Sequence, residues 1–186
     1  MNRYVKYILA AAITAVTASC VKERLEVTYT NQENKIDQYI NSNKYFTKDD
    51  KKDSLRVVNN AGANRLVLEE GMGEELGPEG TVAFYYAGYT FNGSKSNANL
   101  FVTNHEETAR AAGWELTDED FSILKIDLRD KTLIEGLRKG LTGVKGGEHC
   151  QILFSGKYGF GNSSFGIIPA NSALLYEIWV GSVSNK

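Results

Sequence analysis

Between Thr81 and Phe91 the chain alternates, with Val82, Phe84 and Tyr86 on one side of an extended backbone and Ala83, Tyr85 and Ala87 on the other. The same period returns in His149–Phe154, where Cys150, Ile152 and Phe154 share a face. It returns again in Ala173–Val183, where Leu174, Tyr176, Ile178 and Val180 point inward and Glu177 outward. A two-residue period cannot make an amphipathic helix, so the spacing predicts an antiparallel sheet with one face buried and the other solvated. Leu55–Val58 and Arg65–Leu68 flank Asn59-Asn60-Ala61-Gly62, a hairpin signal, and Ser122–Leu128 adds a further strand.

Helical signals interrupt the strands. Thr132 with Glu135 fits a capping box, and Leu133, Leu137 and Leu141 then mark one face of a short helix that would lie across the sheet. Thr103 with Glu106 repeats the pattern and opens a helix to Ala112, which Gly113 would close as the residue after the cap. Thr30 with Glu33 does so a third time, ahead of Ile36, Tyr39 and Ile40, and predicts a short helix over Asn31–Asn41 that packs on something else. The run Lys48–Asp53 is so charged that it reads as a solvated linker.

The first residues carry a separate message. Arg3 and Lys6 precede Ile8–Ala18, a stretch that is apolar or small throughout but too short to span the roughly 30 Å of a bilayer core. This is the layout of a secretory signal peptide over residues 1–19. Thr17-Ala18-Ser19-Cys20 resembles a bacterial lipobox, which implies a lipidated Cys20, a membrane anchor through it, and a polar spacer over 20–54 carrying one helix. The expected location is the bacterial envelope, at the outer membrane facing the periplasm.

Composition narrows the function. Among 186 residues, 21 are Lys or Arg and 23 Asp or Glu, so no basic field draws nucleic acid. Two cysteines build no disulfide scaffold, and Cys150 reads as a small core residue. No His/Cys cluster has metal-ligand spacing, His105 and His149 read as surface polar residues, and Gly159-Phe160-Gly161 lacks the Lys-Ser/Thr of a phosphate cradle. Neither cofactor nor metal is expected. What remains is a set of aromatic and aliphatic residues near loops, suited to an apolar pocket.

The order of several motifs adds an identity to this pattern. Gly80–Gly88, Asn92-Gly93, Leu100-Phe101, Leu133-Ile134-Glu135-Gly136-Leu137 with Gly140, Val144–Glu148, Tyr158-Gly159-Phe160-Gly161, Ile167-Ile168-Pro169 and Ala173–Ile178 resemble the FKBP-type peptidyl-prolyl isomerases over about residues 64–184. The resemblance implies an α+β fold, a curved antiparallel sheet wrapped around one short helix, within a domain over 55–186. It implies activity on proline-containing polypeptide clients, with Tyr86, Phe101, Ile134, Phe160 and Tyr176 as the catalytic set. Ile126, Leu133, Leu137, Ile168 and Val102 would line the substrate pocket, and the Ile134 backbone N–H would hold a substrate carbonyl.

Three substitutions depart from the family pattern. Val102 stands where Asp is usual, Leu137 where Trp is usual and Phe160 where Tyr is usual. They leave two readings open, a prolyl isomerase of reduced activity that assists exported proteins, and a degenerate FKBP-like binding or chaperone module. An insertion over about residues 102–121, with Trp114, is either a lid or client platform at the pocket mouth or a tolerated surface loop.

Overall fold

The computed structural model describes residues 3–48, 51–115 and 117–186, with side chains over 21–45, 53–115, 117–118 and 120–186. Helix α1 (Arg3–Asn43) leads into a hairpin of β1 (Tyr45–Lys48) and β2 (Lys51–Ser54). The sheet follows from β3 (Val57–Asn60), β4 (Ala63–Glu69), β5 (Thr81–Thr90), β6 (Leu100–Thr103), β7 (Leu124–Asp127), β8 (His149–Phe154) and β9 (Leu174–Ser184). Helix α2 (Glu106–Ala111) lies between β6 and β7, and α3 (Glu135–Leu141) between β7 and β8. The strand order is β3-β4-β8-β9-β5-β6, all antiparallel, with β7 beside β6 on the outer edge of β5.

The β3–β4 turn is tighter than the sequence suggested. Asn59 and Asn60 are strand residues, and only Ala61 (φ 48°) and Gly62 (φ 99°) turn, both left-handed as a two-residue hairpin requires.

Alternation places Val82, Phe84, Cys150, Ile152, Phe154, Leu174, Tyr176, Ile178 and Val180 on the concave face, where they form the main core with Leu137 and Leu141 of α3. The helix lies close to the sheet because glycines face it. A Cβ on Gly136 would stand 2.3 Å from Phe154 Cγ, and one on Gly140 would stand 2.1 Å from Ile152 Cγ2. Arg65, buried on β4, donates to the carbonyls of Gly140, Thr142 and Gly143 and so closes the end of α3. The anticipated capping box at its start is absent, since Thr132 bonds Asp130 and Ile134 is the N-cap residue without a side-chain bond.

The convex face is not solvated as alternation implied. Ala87, Tyr89, Phe91, Leu100, Leu153 and Leu175 form a second core there beneath Ile36 and Ile40 of α1. Nor does α1 begin at Asn31. No Gly or Pro interrupts the sequence between Val21 and Asn43, so Thr30 is an interior residue of a continuous helix. The stripe of Tyr29, Gln32, Ile36 and Ile40 turns inward at helical spacing, with Ile36 fully buried. Of the run read as a linker, Lys48 and Lys51–Asp53 belong to the paired β1 and β2. The Cys20 side chain and the side chains of residues 1–19 lie outside those described.

Candidate active site

The sheet, α3 and the loop from Gly156 to Ala173 enclose an apolar pocket of about 520 Å³ on the concave side. Strand β5 contributes Phe84 and Tyr86, β6 Phe101 and Val102, and β7 Leu124 and Ile126. Leu133 and Leu137 come from α3 and its approach, Tyr176 from β9, and Phe160, Phe165, Gly166, Ile167 and Ile168 from the loop. Nine of the ten side chains singled out in the sequence therefore meet around one space. The tenth, Ile134, turns its side chain to the core and precedes the hydrogen-bond ladder of α3, which leaves its N–H clear of helical pairing.

Backbone geometry sets the pocket walls. Strands β5 and β6 lose register between Gly88 and Tyr89, and a Cβ on Gly88 would stand 2.8 Å from Phe101 Cζ and 2.9 Å from Val102 Cγ1. Glycine at 88 thus makes room for Phe101 to lie over β5, where its ring meets Tyr176 edge to face at 5.8 Å. On the other wall Phe160 stacks on Phe165 at 4.9 Å, and Phe165 remains 63% exposed at the rim beside Ile167.

Tyr86 sits where β5 has lost both edge partners, since β6 pairs it only from Ala87 onward and β7 only as far as Phe84. Asn104, 6% exposed, fills the gap. Its Oδ1 accepts from Tyr86 N–H at 2.6 Å, its Nδ2 donates to Ser122 carbonyl at 2.9 Å, and the Thr103 hydroxyl donates to Tyr86 carbonyl at 2.8 Å. Sequence reading missed Asn104, whose only signal was an Asn at a strand end. It also missed Phe84, Leu124, Phe165 and Ile167, of which Phe165 and Ile167 sit in the loop without a period to betray them.

No charged side chain lines the pocket among the described residues, and the tyrosine hydroxyls are its only titratable groups. Burial pushes Tyr86 and Tyr176 above the usual tyrosine range, and Tyr86 adds to the effect on Tyr176. Both stay neutral and can donate a hydrogen bond at any physiological pH. The space offers no general base, nucleophile or clustered metal ligands. It can desolvate an apolar ring and the amide attached to it.

Beyond Val102, none of the insertion's described residues lines this space. Thr103 ends β6 instead of capping a helix, and α2 runs from Glu106 to Ala111 with Gly113 (φ 72°) closing it as expected. Trp114 packs in the second core on the convex side, away from the pocket. His105 and His149, expected at the open surface, instead both stack on Trp179, at 3.7 and 4.9 Å, beside buried Glu177. Glu177 points outward as alternation required, but Lys95 Nζ and His149 Nε2 bond it at 2.7 and 3.1 Å beneath the insertion.

An antiparallel sheet curved over one helix, with an uncharged aromatic pocket between them, defines a prolyl isomerase fold, and comparison with known proteins gives the same answer. The FKBP-type peptidyl-prolyl cis-trans isomerase family matches residues 73–180, more than half of the chain. The chain belongs to that family. FK506-binding protein 1 of Aspergillus oryzae is 25% identical over 117 residues, which is 63% of this chain and 94% of that protein. A multi-domain immunophilin from Arabidopsis thaliana superposes with a TM-score of 0.54 at 21% identity, over 70% of this chain and 46% of the longer immunophilin. FkpA from Escherichia coli superposes with a TM-score of 0.52 at 19% identity over 99% of this chain and 74% of its own, a likeness of fold.

Proposed function

We propose that the domain isomerises X-Pro bonds in exported polypeptides while held at a bacterial envelope membrane, facing the periplasm, by lipid on Cys20. The observation that carries the enzymatic part is the open pocket. Its aromatic walls are in place and, among the described residues, none between Thr103 and Ile123 lines it.

The mechanism follows from amide chemistry. Rotation about an X-Pro bond faces a barrier of about 20 kcal/mol because the twisted amide loses its resonance. The proline ring enters between Tyr86, Phe101 and Tyr176 above Leu137, and its amide leaves water. A planar amide is more dipolar than a twisted one, so this environment disfavours the ground state more than the transition state. The tyrosine hydroxyls and the Ile134 N–H are the groups positioned to orient substrate carbonyls.

Val102 and Phe160 give the second reading, a holding module, its footing. Each removes a polar atom that family members commonly place here. At about 1 kcal/mol apiece, with more for an unpaired partner, the combined rate loss is on the order of 10–100-fold.

The test is an NMR-exchange or protease-coupled assay on X-Pro peptides with apolar X, comparing the full chain with Tyr86→Ala. Turnover above the uncatalysed rate that falls in the variant supports the enzyme, and turnover at the buffer rate with retained binding of an unfolded client supports the holding module. Labelling with a clickable palmitate, lost in Cys20→Ala, tests the anchor.

A further inference from the structure

Helix α1 lies outside the part of the chain that matches the isomerase family, yet it holds the loop that forms one pocket wall. Gln32 Oε1 accepts from Gly156 N–H at 2.8 Å, and Gln32 Nε2 donates to Asn171 carbonyl at 2.6 Å. One side-chain amide thus links the two roots of the segment that carries Phe160, Phe165, Ile167 and Ile168. Two neighbours reinforce it, since Tyr29 hydroxyl donates to Asn171 Oδ1 at 2.7 Å and Ser155 hydroxyl donates to Glu33 at 3.1 Å. The roots have little other freedom. Asn171 sits at φ 60°, its N–H bonds Gly161 carbonyl at 2.6 Å, and a Cβ on Gly156 would lie 2.4 Å from Asn171 carbonyl oxygen. The Gly156 and Asn171 backbones therefore touch, and Gln32 fixes their spacing.

We propose that Gln32 is a positioning residue for the isomerase, and that α1 sets the shape of the pocket through the Gly156–Asn171 loop. The inference rests on the reading of the pocket as the isomerase site. A loop whose roots are spaced by one amide transmits any shift of α1 to Phe160 and Ile168, which lie four residues past one root and three before the other. Whatever draws α1 off the convex face, a pull from the membrane side or a partner that binds the helix, loosens the pocket wall.

The experiment compares full-chain wild type, Gln32→Ala, Gln32→Glu and Ile36→Ala. Gln32→Glu keeps the acceptor for Gly156 N–H but cannot donate to Asn171 carbonyl. Ile36→Ala lowers the stability of the whole domain through the apolar core but, where the protein is folded, leaves α1 docked and both Gln32 bonds made. Two readouts are taken where all four proteins are folded, kcat/KM on an X-Pro peptide and amide hydrogen exchange over residues 156–171. The expected result is a loss of about tenfold in kcat/KM for Gln32→Ala, a smaller loss for Gln32→Glu and none for Ile36→Ala. Exchange at Gly156, Ile168 and Asn171 accelerates by a similar factor in Gln32→Ala, less at Gly156 in Gln32→Glu, and not in Ile36→Ala. Unchanged kcat/KM and exchange in Gln32→Ala overturn the proposal, as does an equal change in Ile36→Ala. If wild type turns nothing over while Gln32→Ala still loosens the loop, the isomerase reading fails and the control of the pocket wall by α1 stands.

Discussion

Replacing Ile36 by Ala tests whether α1 is part of the folded domain. Ile36 is completely buried, and Leu153 and Leu175 of the same cluster are fully buried with it. Truncation to Ala in such a site costs about 2–5 kcal/mol through lost transfer energy and the cavity left behind. The better helix propensity of Ala returns about 0.5 kcal/mol, so the net cost is about 3 kcal/mol. For a chain of this size each kcal/mol lowers Tm by about 2–4 °C, which gives a drop of about 6–12 °C. Asp37→Ala, one residue along on the exposed side, should stay within about 0.5 kcal/mol of wild type. Thermal unfolding followed by circular dichroism and near-ultraviolet signals reads both variants. A Tm for Ile36→Ala within 1–2 °C of wild type would refute the reasoning, because the convex core would then hold together without the helix.

Gly140→Ala should destabilise by about 2–3 kcal/mol in urea unfolding, despite the better helix propensity of Ala, because its Cβ collides with Ile152; stabilisation would mean that α3 stands farther from the sheet. Burial holds the His105 imidazole below its usual 6.5, with His149 adding to the effect while Glu107 and Glu177 oppose it. The unfolded chain therefore takes up the proton first as pH falls. Stability from this group is complete above pH 6.5 and declines below it toward the folded value, so Tm measured from pH 7.5 to 5.5 should fall less in His105→Phe, which keeps the ring on Trp179. Val102→Asp with Phe160→Tyr should raise kcat/KM on apolar X-Pro peptides by roughly tenfold if the missing polar groups limit turnover. An unchanged rate would locate the limit elsewhere in the pocket.

The concave half of the molecule was legible because one face of each central strand obeys a strict period. Val82, Cys150, Ile152, Phe154 and Ile178 occur at two-residue spacing and all are buried. The pocket was legible through the order of its motifs. The convex half was obscured by the same rule, which assigns alternate residues to solvent although Tyr89, Phe91, Leu153 and Leu175 on that side are as apolar as their neighbours. Apolar residues on both faces were the available sign that something covers the second one. The start of α1 was hidden because Thr30-x-x-Glu33 imitates a cap inside an uninterrupted helix, and the Lys48–Asp53 charge run gave no hint of pairing. Long-range side-chain bonds such as Gln32 to Gly156 and Asn104 to Tyr86 join residues through the fold and leave no local pattern.

The Asn104 bridge has a consequence for how this chain can vary. Where β6 and β7 part, a single amide spans Tyr86 N–H and Ser122 carbonyl, so the sheet edge is closed on both sides of the excursion between them. The stretch beyond Trp114 leaves from a stapled base at the rim of the fold. That makes it a port where length, sequence or a whole grafted module can change while the aromatic walls keep their spacing, provided that Asn104 is retained.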